Sequence, residues 1–224
     1  MAEDRLVRIM DVLTEGQRTA LESLGEPIRY RADETIFREG QHPHWVLLIQ
    51  SGSVKVTRVA ADGAEMILAI RGVGEVMGDE GVLMGEPRSA TVTTITEVVG
   101  IEVKAEDLLD FVGQHDLWPV MYRAAVQRGR QSDRRALLAR LDVKSRLARW
   151  LLELAGEVGE PYPDGSMIIA ATLSQQDLAS RIGASREAVA IELRRMREQR
   201  LVTTGRQRIV LHDLDALRTI STSD

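Results

Sequence analysis

The 224-residue chain contains no cysteine. Disulfides, thiolate-ligated iron–sulfur clusters and cysteine nucleophiles are therefore excluded. Long apolar runs are missing too. The opening MAEDRLVRIM is too polar for a secretory leader, and no stretch reaches the length of a membrane span. A cytoplasmic protein with no membrane partner is expected. Only four histidines are present, and no Ser-His-Asp constellation stands out. Asp79 and Glu80 are adjacent, so in extended chain they point apart and make a poor acid–base pair. No catalytic residue and no metal ligand is assigned, and no repeat or low-complexity segment is visible.

The formal net charge is −5, which argues against a nucleic-acid binder until it is divided along the chain. Residues 143–224 carry 12 Lys and Arg against 11 Asp and Glu, a net of +1. Residues 1–142 carry the remaining 17 and 23, a net of −6. Between Ser180 and Val210 there are eight arginines against three glutamates, a net of +5. The positive charge is local, as a DNA-contacting face requires.

That basic stretch has a definite spacing. Leu173 to Leu201 predicts two helices joined by a tight turn. Leu178 and Ile182 are four apart, Ala179 is small, and Gly183 ends the first helix at a left-handed position. Ser185 is an N-cap, and Val189, Leu193, Met196 and Arg200 follow at three- and four-residue steps. Ala179, Gly183 and Val189 together have the spacing of a helix-turn-helix, with Arg186, Arg194 and Arg197 on the outer face. An ordinary helical hairpin in a core would share the Gly turn but not the arginine-rich face. The second helix is expected in a DNA major groove. Candidate DNA contacts are Gln175, Gln176, Ser185, Arg186, Glu187, Ala188, Ile191 and Arg194. Leu201–Thr203 and Arg208–Leu211 flank a turn with a basic tip, a wing from which Arg206 and Arg208 reach phosphates.

Residues 4–24 read as one helical preamble. From Pro27 to Val103 short apolar runs alternate with Gly- and Asp-containing turns, the pattern of an all-β sandwich or small barrel. Ala105–Val112 predicts a short helix. A longer one runs from Leu117 to about Leu141, with Pro119 in its first turn. Met121, Ala125, Gly129, Ser132, Ala136 and Ala139 form a narrow stripe of small and medium residues along it. Such a seam suits pairing with a second copy, and a DNA-binding dimer needs its two recognition helices about 34 Å apart. A helix lying on the sandwich is the competing explanation. Asp142 predicts a break and an N-cap for Val143–Ala155.

The segment Gly78 to Ala90, GDEGVLMGEPRSA, combines glycines, carboxylates, and an arginine followed by two small residues. Glycines let a ligand approach backbone N–H groups, Arg88 offers a fork of donors to a phosphate, and Ser89 adds a hydroxyl. A carboxylate nearby can accept from a ribose hydroxyl. By itself the pattern also fits a solvated turn.

Taken together, the chain resembles the CRP/FNR family of bacterial transcription regulators over nearly its whole length. Glu34–Gly40 resembles the family's early turn and Val46–Val56 its next strand pair. Gly78–Ala90 is similar to its phosphate-binding cassette, and Ser185–Val189 to the start of its recognition helix. The resemblance implies an α+β chain in three parts: a jelly-roll-like β-roll over 1–116, a dimerisation helix and hinge over 117–142, and a winged helix-turn-helix over 143–224. It implies cyclic-nucleotide control of promoter binding. Arg88 and Ser89 would hold the cyclic phosphate, Gly78 would offer backbone, and Ala90 closes the motif. Gln131 and Ser132 fall where the long helix meets the base. The family's usual Glu after the first Gly is Asp79 here, one methylene shorter, with Glu80 as a substitute. Gln131 stands in place of a Thr common in cAMP-responsive members. Ile191 stands where the family often has a second Arg. No cofactor is expected beyond the effector. cAMP is favoured, with cGMP, a cyclic dinucleotide or no ligand as alternatives. Partners are a palindromic double-stranded operator, a second copy of the chain, and RNA polymerase as a further candidate. A same-fold regulator with a degenerate pocket is the nearest competitor. A cupin-like metal enzyme built on His42 and His44 is remote, since no Glu and third His follow at cupin spacing.

Overall fold

The computed structural model describes residues 8–60, 63, 65–138, 141–170, 173–205 and 208–222, with side chains described in these ranges except at 131–138. The chain falls into two compact units. One comprises Met1–Val56 with Arg71–Asp133, the other Thr57–Ile70 with Arg134–Asp224.

The single preamble helix is in fact two, α1 (Ile9–Val12) and α2 (Glu15–Ser23). Thr14 divides them: its hydroxyl accepts from Gln17 N while the Gln17 side chain accepts from Thr14 N, a reciprocal cap that starts a new helix. The strands are β1 (Glu26–Tyr30), β2 (Thr35–Phe37), β3 (Trp45–Ser51), β4 (Val54–Val59), β5 (Glu65–Arg71), β6 (Val76–Met77), β7 (Thr91–Thr94) and β8 (Val98–Lys104). They form two four-stranded sheets, ordered β1-β8-β3-β6 and β2-β7-β4-β5. β3 explains why its sequence is one continuous apolar run. Val46 and Leu48 face a cluster with Leu21, Val103, Leu108, Phe111 and Met121. Leu47 and Ile49 face the opposite cluster, with Phe37, Val54, Val92 and Val98. A strand buried on both faces has no polar alternation to show.

A short helix, α3 (Asp79–Met84), lies between β6 and β7. The sequence pattern there predicts a turn rather than a helix. Gly78 and Gly85 bound the helix with φ of 86° and 67°, left-handed positions that glycine takes without penalty. α4 (Ala105–Gln114) and α5 (Trp118–Leu138) follow β8. α5 turns Met121 and Ala124 into the core, with Leu117 just before it. Met121 therefore does not belong to an exposed seam, contrary to the sequence pattern. Trp118, Tyr122, Ala125 and Gly129, at steps of four, three and four, are among its exposed positions, with Pro119, Arg123 and Arg130.

In the second unit Asp142 caps α6 (Val143–Val158) by accepting from Ser145 N at 2.7 Å. β9 (Gly159–Pro161) pairs with β10 (Met167–Ala170), a strand hidden in the proline-bearing loop. α7 (Gln175–Ile182) and α8 (Arg186–Glu198) make the helical pair. β11 (Val202–Gly205), β12 (Arg208–Leu211) and α9 (Leu214–Thr222) complete the chain. The sheet order is β11-β12-β10-β9. Leu147, Leu151 and Leu154 of α6 are buried with Leu178, Val189, Leu193, Met196, Leu211 and Leu217.

Candidate functional site

The cassette is built around Arg88, which is only 5% exposed. Its backbone is fixed first: Arg88 N donates to Gln41 O at 2.8 Å and Arg88 O accepts from Gly40 N at 2.9 Å. The side chain then turns inward. Nη1 donates to Gly78 O at 2.6 Å, Nη2 donates to Trp45 O, and the guanidinium lies 4.0 Å above the Phe37 ring. A Cβ at residue 78 would run into that guanidinium, which is a second reason for glycine there. Arg88 Nε is buried without a hydrogen-bond partner, and among the described residues no carboxylate lies within ion-pair distance of the group. Burial lowers the Arg88 pKa from its ordinary value, and the Asp79 charge nearby acts against that shift. The result is a buried cation without an anion, next to a glycine turn and the first turn of a helix. Such a place favours a phosphate, which supplies the missing charge and accepts from the fork.

Asp79 and Glu80 separate as their order in a helix demands. Asp79 is buried and Glu80 is exposed. The Asp79 carboxylate receives Arg128 Nη2 of α5 on Oδ2 at 2.9 Å. Ser89 is exposed and Ala90 buried. The structure thus brings Gly78, Asp79, Arg88, Ser89 and Ala90 into one neighbourhood and leaves Glu80 facing solvent. Gln131 and Ser132 lie outside the residues whose side chains are described. Phe37, Trp45 and Arg128 were missed in the sequence. Arg128 carried a readable signal, because it continues the core-facing series Leu117, Met121 and Ala124 by another four residues. A cation at such a position needs a partner. Phe37 and Trp45 looked like ordinary strand apolars.

The second candidate surface is the helical pair. Ser174 and Asp177 form a reciprocal cap at the start of α7, with Asp177 N donating to Ser174 Oγ at 3.0 Å and Ser174 N to Asp177 Oδ2 at 2.7 Å. Gly183 ends α7 at φ 64°, and Ser185 Oγ accepts from Ala188 N at 3.1 Å to start α8. Ala179, Val189 and Met196 are fully buried between the helices. Arg200 does not continue the apolar face: it is exposed beyond the helix end at φ 57°. On the outer side Arg186, Glu187, Ile191 and Arg194 are exposed, with Ile191 at 52%. Ala188 and Gln175 are half-buried, and Gln176 and Ser185 are exposed. Glu192 is buried and pairs with Arg195 at 2.6 Å; Arg194 pairs with Glu198 at 2.9 Å. Arg197 Nη1 donates to Thr204 Oγ1 at 3.0 Å, tying α8 to the β11–β12 hairpin. Arg208 is exposed on that hairpin, and Arg206 lies outside the described residues. A further residue, Arg146 of α6, holds the turn itself. Its Nη1 donates to Ile182 O at 2.6 Å and Gly183 O at 3.0 Å.

His42 and His44 have ring centroids 5.9 Å apart, and among the described residues no group of three His, Asp or Glu could hold a metal.

Residues 27–115 match the family described as Cyclic nucleotide-binding domain, and residues 145–220 match the Crp-like helix-turn-helix domain. A CRP-like cAMP-activated global transcriptional regulator of Mycobacterium tuberculosis is 31% identical over 166 residues, 73% of this chain and 74% of that one. The structure of FixK2 from Bradyrhizobium japonicum matches 89% of this chain and 98% of its own, with a TM-score of 0.76 at 22% identity. The c-di-GMP responsive global regulator CLP of Xanthomonas campestris matches 89% of this chain and all of its own, with a TM-score of 0.68 at 26% identity.

Proposed function

The chain belongs to the CRP/FNR family of transcription regulators, and on that premise we propose that it is a homodimer whose promoter binding is controlled by a cyclic nucleotide. The family and its relatives are DNA-binding regulators, not enzymes. The observation that carries the nucleotide reading is Arg88: buried, without a carboxylate partner, and held against the carbonyl of Gly78. Arg128 is neutralised by Asp79, so Arg88 leaves one positive charge in the pocket. That favours a ligand with one phosphodiester, and cAMP before a cyclic dinucleotide. The M. tuberculosis relative, named as cAMP-activated, supports the same choice. Arg88, Gly78 and Ser89 hold the phosphate, Asp79 takes the sugar, and Gln131 and Ser132 of α5 meet the base.

Dimerisation is supported by the stripe Trp118, Tyr122, Ala125 and Gly129, with Trp118 46% and Tyr122 74% exposed. Its four-three-four spacing repeats every seven residues, as a two-stranded coiled coil needs. A dimer presents two copies of α8 to a palindromic operator. Arg186 reads guanine with its fork, Glu187 accepts from cytosine N4, and Ile191 packs on a thymine methyl. Gln175, Gln176, Ser185, Arg194 and Arg206 contact phosphates or flanking bases, and RNA polymerase is the partner a promoter-bound dimer meets. Ligand shifts the dimer between two states, by as much as its affinity for them differs, through α5 and the hinge at Asp142. Among the described residues no helix is long and apolar enough to cross a membrane, and we place the protein in the cytoplasm with the chromosome.

Calorimetric titration with cAMP, cGMP and cyclic di-GMP tests this reading. Saturable binding of a cyclic mononucleotide, lost in Arg88→Ala, is the expected result. Tighter binding of cyclic di-GMP replaces the mononucleotide with a dinucleotide, and no binding by any makes the pocket degenerate.

A further inference from the structure

Arg88 has its donors in use. A guanidinium carries five N–H groups, and it grips a phosphate with two adjacent ones on an open edge. Here Nη1 donates to Gly78 O at 2.6 Å and Nη2 donates to Trp45 O. Nε is buried, and the residue as a whole is only 5% exposed. One face of the group lies 4.0 Å above the Phe37 ring. Phe37 is 2% exposed and packs in turn on Trp45, with ring centroids 4.5 Å apart. No edge of the guanidinium is left open to a ligand. The same contacts join three elements: β2 through the ring, β3 through the Trp45 carbonyl, and the start of α3 through the Gly78 carbonyl, which also accepts from Val82 N at 3.4 Å.

Each of these partners is electron-rich, and none carries a full charge. Two carbonyl dipoles and the negative face of a ring stand in for an anion, and a phosphate holds the cation more strongly than they do. Until it is displaced, the substitute occupies the group that the phosphate needs.

We propose that Phe37, with the carbonyls of Trp45 and Gly78, forms a dock that keeps Arg88 from the ligand, so that effector binding requires Arg88 to leave the ring and Phe37 sets the effector concentration at which the protein responds. This rests on the nucleotide reading above and deepens it. Apparent affinity is the intrinsic affinity reduced by the fraction of molecules whose Arg88 is undocked. A cation–π contact shielded from water lowers that fraction. Phe37 therefore tunes affinity without touching the ligand.

The carbonyls remain in every variant, so Phe37 is the part of the dock that substitution removes. Calorimetric titration of the full-length protein with cAMP and with cGMP compares wild type with Phe37→Leu, which keeps the position apolar and has no π face. The nucleotide that wild type binds is expected to bind the variant about threefold to thirtyfold more tightly. A merely structural Phe37 predicts the opposite sign or no change, because a hole in the core loosens the pocket. That result would overturn the proposal and leave the nucleotide reading intact. Thermal melting confirms that the variant is folded; if it is not, Phe37→Met, closer in volume, takes its place. A second measurement leaves Phe37 untouched. Protons held over a ring are shifted upfield by its ring current. NMR of the arginine-labelled protein reads this shift at Arg88, whose signal is identified by its loss in Arg88→Lys. The shift is expected in the free protein and is expected to disappear when the same nucleotide is saturating. A shift that survives saturation would overturn the proposal, since Arg88 would then meet the phosphate without leaving the ring. A wild type that binds neither nucleotide removes the nucleotide reading and this proposal together.

Discussion

Replacing Arg146 by Met removes the guanidinium that holds the end of α7 and keeps a chain of similar length, so little cavity is opened. Nη1 donates to Ile182 O at 2.6 Å and to Gly183 O at 3.0 Å, two carbonyls that no following helical turn satisfies. A hydrogen bond from a charged donor contributes about 1.5–3 kcal/mol. The two bonds share one nitrogen, so together they contribute nearer the top of that range than twice it. Against this, Arg146 Nε is buried without a partner, and its removal recovers part of the desolvation cost. A net loss of about 2–3 kcal/mol follows. For a chain of this length that lowers Tm by roughly 4–12 °C. Scanning calorimetry of wild type, Arg146→Met and Arg146→Lys measures it, with Lys in between because an ammonium is a single point donor. The turn between α7 and α8 aims the recognition helix, so operator affinity should fall in Arg146→Met at temperatures where the protein is still folded. A melting temperature within about 1 °C of wild type, with unchanged operator affinity, would refute the reasoning.

Ile191 stands exposed on the outer face of α8, where an arginine would read a G·C pair. Binding-site selection with wild type and Ile191→Arg should show the preferred base pair moving from A·T toward G·C at one symmetric position, by about 1–3 kcal/mol of discrimination; an unchanged selected site would remove Ile191 from base readout. The seam on α5 predicts that Tyr122→Arg shifts the protein toward monomer in analytical ultracentrifugation, because two like charges would meet across the pair. A dimer as tight as wild type would place the interface elsewhere. The cap at Asp142 gives a pH dependence with a definite sign. The bond from Ser145 N holds its pKa below the usual carboxylate value. Its contribution is therefore full above the unfolded value near ~4 and is lost as pH falls through the depressed one. Asp142→Asn should flatten that acid limb of the stability curve, and an unaltered limb would mean that Asp142 does not carry it.

The helical pair was legible because its rules are local. A glycine that must take φ 64°, a serine whose hydroxyl accepts from Ala188 N, and a small Ala179 at the crossing are each fixed by chemistry within a few residues. The strands were legible for the same reason, through period and turn glycines. α3 was not. Six residues between two left-handed glycines carry too little periodicity to separate a helix from a turn, and packing of Val82 into the core decides it. The sequence pattern of α5 does not separate its two apolar rows, one through Met121 and one through Tyr122, and only the tertiary fold says which of them is covered. In the pocket, Arg88, Gly78 and Asp79 could be named from the cassette. The inward turn of Arg88 onto Gly78 O and Trp45 O, and the pairing of Asp79 with an arginine 49 residues away, are long-range contacts with no local trace.

In the function proposed above, an anion at Arg88 controls α8. Fluorescence anisotropy of a selected palindromic operator, titrated with wild type and with Arg88→Ala in the absence and presence of saturating cAMP, tests it most directly. cAMP is expected to tighten operator binding about tenfold or more in wild type and to leave Arg88→Ala unchanged. Equal operator affinity with and without cAMP in wild type, or an equal response in Arg88→Ala, would contradict it.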